Sequence, residues 1–191
     1  MLDQLKLYLE LGLHHVLDIN GYDHILFLTV LTIPFLFNNY KKVVKLVTVF
    51  TIGHTLSLVL STYKIVNINS DLVEFLIPIT IAITAIYHLV FVSKSVKNIT
   101  IEMAITLFFG VVHGLGFSNY FKMIISGTSS KIGPLLEFAL GLETAQIIIV
   151  IVVLLVSTLM RNVLNIPKKV WVRVVSAIVI GVVIPMIIER Y

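Results

Sequence analysis

The sequence predicts an all-α protein: a polytopic transmembrane helix bundle of about six spanning helices, preceded by an N-terminal interfacial helix, in a single domain covering residues 1–191. Three observations point there. The hydrophobic content is 58% with only 13% charged residues, and mean hydropathy is +1.04, a balance that leaves too little charge to cover a soluble domain. The apolar residues gather into runs of about 20, the length needed to cross a hydrocarbon core as helix. The breaks between runs carry most of the Lys and Arg residues.

The first element is Leu2 to Leu17, where Asp3, Lys6, Glu10 and His14 recur at helical spacing among leucines, the pattern of a helix lying in the interface. His14 continues this polar stripe. His15 points about 100° away, toward the apolar side, and is the better ligand candidate of the two. The N-terminus lacks a basic segment followed by an apolar core and a small-residue cleavage site, so a cleavable signal is not expected. Asp18-Ile19-Asn20-Gly21 has turn chemistry; a corner here would bring His15 back toward Asp23 and His24.

The six expected spans are residues 23–38, 42–61, 72–92, 101–118, 134–159 and 170–188. Loops after the first, third and fifth hold Lys41, Lys42, Lys45, Lys94, Lys97, Arg161, Lys168, Lys169 and Arg173. The opposite side holds Lys6, Lys64, Lys122, Lys131 and Arg190. By the positive-inside rule the first group marks the cytoplasm, giving an integral inner-membrane protein with both termini outside. Basic residues dispersed among loops report topology and give no sign of nucleic-acid binding. Absence of cysteine excludes disulfides, thiolate ligands and a cysteine nucleophile.

Ionisable residues inside the spans carry the functional signal, because a charge at the centre of a spanning helix costs about 2.5–3.5 kcal/mol and needs a partner, a wet cavity or an ion. Asp23 and His24 open the first span, His54 is late in the second, Glu74 opens the third and His113 is late in the fourth. Glu143 lies roughly 13 Å into the fifth. This alternation of early and late positions follows helix direction, so all six converge on the outer half of the bundle. His88 is late in the third span, near the opposite mouth, where an imidazole sits among headgroups at little cost.

Local context supports the convergence. Phe50-Thr51-Ile52-Gly53-His54-Thr55-Leu56-Ser57 gives His54 a small neighbour that permits close helix approach, and Gly110 and Gly114 flank His113 in a small-xxx-small face. Pro78 cannot donate the hydrogen bond that the Glu74 carbonyl would accept, which frees that carbonyl for another partner. Glu143 and Gln146 are three apart and share a face. Imidazoles and carboxylates without thiolates favour a borderline divalent transition metal (nickel, cobalt, zinc or iron(II)) over a soft cation, whereas calcium and magnesium want oxygen-rich cages. The candidate metal ligands are therefore His15, Asp23, His24, His54, Glu74, His113 and Glu143.

Five ordered motifs carry a family resemblance: Gly21-Tyr22-Asp23-His24-Ile25-Leu26-Phe27-Leu28, Phe50 to Leu58, Val73-Glu74-Phe75-Leu76-Ile77, Phe109-Gly110-Val111-Val112-His113-Gly114-Leu115-Gly116-Phe117 and Leu140-Gly141-Leu142-Glu143-Thr144-Ala145-Gln146. In these, most of the chain resembles the HupE/UreJ family of small integral membrane proteins, particularly its second branch. The better-described branch is associated with nickel or cobalt supply to hydrogenase and urease. The resemblance thus implies a metal-handling permease with the Asp-His and His-Gly motifs as ligands.

Three readings follow from the residues. In a nickel or cobalt permease, the outer cluster strips water from the cation and passes it inward, although the inner half offers mainly hydroxyls as relays. In an intramembrane zinc-type hydrolase or acyltransferase, three ligands and an open position activate water on an outer-leaflet lipid or lipoprotein, with Glu143 as general base. In a scaffold, the same residues only hydrogen-bond between helices, at about 0.6 kcal/mol each. The expected partners are the lipid bilayer and a divalent metal ion, with a second copy of the chain, as a homo-oligomer, left open.

Overall fold

A computed structural model describes residues 2–19, 21–92, 99–128 and 130–191, with the side chains of Leu2 and Asp3 excepted. Asn20 of the expected corner, and Lys94 and Lys97 of the expected basic face, lie outside the described residues. The elements are α1 (Leu2–Leu17), α2 (Asp23–Thr32), a 3-10 turn (Phe37–Asn39), α3 (Tyr40–Thr62), α4 (Ser70–Phe91), α5 (Ile99–Ile124), α6 (Ile132–Thr158, prolonged by a π turn through Val163) and α7 (Lys168–Glu189). The described residues contain no strand.

Five helices, α3 to α7, are long and apolar enough to cross a membrane, in keeping with the helical membrane bundle that the sequence predicts, with five long spans beside the expected count of about six. The difference lies in residues 23–38. There α2 has only 10 residues, about 15 Å of helix against a core of about 30 Å. Pro34 has no N–H to continue the ladder and ends it two residues after Thr32.

The first helix also departs from its expected place. Leu7 and Tyr8 lie beside Gly133 and Pro134, and a Cβ on Gly12 would strike the backbone of Phe138 and Leu142. A Cβ on Gly141 would in turn meet the backbone of Leu9. Two glycines thus let α1 and the first half of α6 run side by side in the same sense, with α1 descending along a neighbour instead of lying across the helix ends. Together α1 and α2 are two short helices, of 16 and 10 residues. His15 is one turn beyond Gly12, so this contact sets its depth.

A second backbone contact joins α3 to α5. A Cβ on Gly53 would strike the carbonyl of Leu107, one on Gly110 that of Phe50, and one on Gly114 the carbonyl of His54 and the Ser57 hydroxyl. Close approach of this kind is how helices associate where no hydrophobic force distinguishes side chain from lipid. Two apolar clusters complete the core. One joins α1 and α6 to Phe121 and Leu58, and the other joins α2, α3, α4, α5 and α7 through Phe27, Phe50, Ile81, Phe109 and Val183. The imidazoles lie between them.

Basic residues divide between the two ends of the bundle. Lys42, Arg161 and Lys168 belong to one. Lys131, which donates to the Thr62 carbonyl, and Arg190, which donates to the Glu74 carbonyl at 3.1 Å, belong to the other. The latter bond fills the acceptor that Pro78 leaves open.

Candidate metal centre

Four imidazoles from four helices meet at the junction of the two core clusters. His15 ends α1, His24 begins α2, His54 is on α3 and His113 on α5. Ring centroids are 4.8 Å apart for His15 and His24, 5.6 Å for His15 and His54, 5.7 Å for His24 and His54, and 5.3 Å for His24 and His113. His24, His54 and His113 are buried and His15 is half-buried. One ring nitrogen from each of His15, His24 and His54 lies within 4.8 Å of the others. Metal–nitrogen bonds of about 2.0–2.1 Å hold ligand atoms at most about 4.2 Å apart, so small side-chain rotations would close this set on one ion.

Hydrogen bonding fixes which nitrogens face the centre. The Nδ1 of His113 donates to the Phe109 carbonyl at 2.8 Å, leaving Nε2. The Nδ1 of His24 donates to Oδ1 of Asp23 at 3.0 Å, and the His24 backbone N–H donates to the same oxygen at 2.8 Å. Asp23 therefore orients His24 from behind, the arrangement in which a carboxylate sets the tautomer of a metal-binding imidazole. What remains is a set of buried nitrogens without hydrogen-bond partners: Nε2 of His15, His24 and His113, and both ring nitrogens of His54. Orphaned buried polar atoms are costly and uncommon. The group of His15, His24 and His54 among them could hold a metal ion, and imidazole suits a borderline transition metal.

Aromatic rings enclose the group. Phe117 lies 3.9 Å and Phe138 5.8 Å from His15 by ring centroids. On the other side Phe27 and Phe50, stacked at 4.8 Å, lie 5.3 and 5.1 Å from His113, and Phe109 closes the layer at 5.9 Å from Phe27. Opposite this layer, a mouth of about 230 Å³ is lined by His15, Asp23, His24, Glu74, His113 and Arg190. Glu74 thus stands at the entrance.

Glu143 stands elsewhere. Its carboxylate accepts from the Thr48 hydroxyl at 2.6 Å and from the Thr51 hydroxyl, and Thr51 also reaches Gln146 Oε1 at 2.8 Å. Thr51 precedes His54 by one helical turn, so this polar group is one turn further from the mouth. Gln146 shares with Glu143 the face that their spacing predicts, whereas nothing in the sequence singles out Thr48. His88 is apart from all of these, against Tyr87 and near Lys168.

The whole chain, residues 1–191, matches a family model described as HupE / UreJ protein. No curated protein and no solved structure matches it. The chain belongs to the HupE/UreJ family.

Proposed function

We propose that this HupE/UreJ family member is a nickel or cobalt permease whose capture site is formed by His15, His24, His54 and His113. The observation that carries this reading is the set of buried ring nitrogens, contributed by all four imidazoles, that have no hydrogen-bond partner. A shared ion would take one lone pair from each of several rings at once. The family is associated with nickel and cobalt transport, and the donor set fits those metals.

Asp23 and Glu74 give the mouth its carboxylates, which raise the local concentration of a divalent cation. Asp23 then acts through His24, while Glu74 meets the ion before the imidazoles do. Glu143, held by Thr48 and Thr51 beside Gln146, is the next station inward along α3 and α6. With the basic end of the bundle in the cytoplasm, movement in that order is uptake. Phe27, Phe50 and Phe109 block a direct inner route, so transport requires this layer to open. The two short helices α1 and α2 supply the adjustable element, as discontinuous helices do in other transporters.

The hydrolase reading has weaker support, because the general base it assigns to Glu143 is engaged by threonines one turn away from the imidazoles.

Uptake of radioactive nickel into proteoliposomes tests the proposal. Wild-type protein should accumulate nickel, and His54→Ala should not. Phe27→Ala should change the uptake rate while retaining bound nickel. Stoichiometric nickel binding without accumulation would contradict a permease and favour a fixed centre.

A further inference from the structure

A second cavity lies at the basic end of the bundle, against the Phe27 and Phe109 rings on the side away from the imidazole mouth. It encloses about 210 Å³ between α2, α3, α4 and α5, with Leu31, Leu46, Ile83, Ile105 and Phe109 in its walls. Ile83 and Ile105 are 53% and 49% exposed, so the cavity opens sideways between α4 and α5, where lipid chains surround a spanning helix. A smaller cavity of about 100 Å³ shares Phe35, Tyr87, His88 and Glu102 with it and adds Lys42 and Lys168.

The charge at this smaller cavity is unbalanced. Lys42 Nζ lies 2.6 Å from Glu102 Oε2, which matches one cation to one carboxylate. Lys168 is repelled by both Arg161 and Lys42, and Arg161 reaches the Pro34 carbonyl on the cavity wall at 3.4 Å. Among the described residues around it, three cations therefore face one carboxylate. A divalent metal would be repelled here. A soluble anion would match the cations but leave the apolar cavity unused, and a neutral lipid would do the reverse. Only an anionic amphiphile satisfies both.

We propose that the α4–α5 cleft binds an anionic phospholipid, with one acyl chain in the apolar cavity and the phosphate at Lys168 and Arg161. The chain enters through the gap between Ile83 and Ile105. The headgroup stays at the basic end of the bundle, where anionic lipid and Lys or Arg residues attract each other most strongly.

Native mass spectrometry of the delipidated full chain in detergent tests this, using phosphatidylglycerol, phosphatidylcholine with the same acyl chains, and inorganic phosphate as probes. Phosphatidylglycerol should bind about tenfold more tightly than phosphatidylcholine, and Lys168→Gln combined with Arg161→Gln should abolish that preference. Thr84→Phe, which fills the cavity, should weaken both lipids. Circular dichroism verifies folding, and Lys168→Gln alone, at an exposed position outside the ion pair, should reduce the preference without risk to the bundle. Equal binding of the two lipids, a preference unchanged in the charge variants, binding unaffected by Thr84→Phe, or displacement of the lipid by inorganic phosphate would each overturn the proposal.

Discussion

His113 lies near the middle of α5 and His88 in the last turn of α4, and their surroundings have opposite character. His113 is buried among three other imidazoles, is oriented by the Phe109 carbonyl and sits beside Gly114, which brings the α3 backbone into contact. His88 has an aromatic neighbour, no second imidazole in its cavities, and the charge of Lys168 nearby. One end of the bundle gathers unsatisfied lone pairs, and the other gathers positive charge. The proposed capture site lies at the first, and Lys42, Arg161 and Lys168 gather at the second. An imidazole in a membrane helix therefore acquires a function from what close backbone contact brings to it, and depth alone does not decide.

The contrast predicts a graded series of effects on nickel affinity and stability. His54→Ala removes an imidazole with two unpartnered nitrogens and should weaken nickel binding by more than about 100-fold, beyond the range for residues acting behind a ligand; isothermal titration on purified protein measures this. Asp23→Asn keeps the shape but loses the charge that orients His24, and should cost about 10–100-fold in the same assay. Gly114→Leu should destabilise the folded protein by about 1–3 kcal/mol through overpacking against His54 and Ser57, seen as a lower denaturation midpoint in detergent. His88→Ala should leave nickel affinity within about twofold, the ordinary behaviour of a residue remote from a site. A loss in His88→Ala equal to that in His54→Ala would erase the distinction between the two ends.

Much of this arrangement was legible in the sequence. Depth counted along each span brought Asp23, His24, His54, Glu74 and His113 to one end, and the Asp18–Gly21 corner returned His15 to them. The Gly-His pairings announced close helix contact. Two features were hidden for physical reasons. Residues 23–38 are apolar enough to read as a span, and hydropathy does not register that Pro34 stops the helix after 10 residues. The polar stripe of α1 fits an interfacial helix equally well, because only the partner glycine, Gly141, distant in sequence, reveals that α1 packs along α6. Depth also does not specify azimuth. Glu143 counted as deep in the outer half, but its carboxylate faces Thr48 and Thr51 on α3 and meets no imidazole.

Binding of one metal ion by the four imidazoles can be read from X-ray absorption at the nickel edge of the loaded, purified protein. One nickel per chain is expected, with scattering from at least three imidazoles, the number whose ligand atoms already converge, and a loss of that signal in His24→Ala. A shell of oxygen ligands alone, or an unchanged imidazole signal in His24→Ala, would contradict that binding.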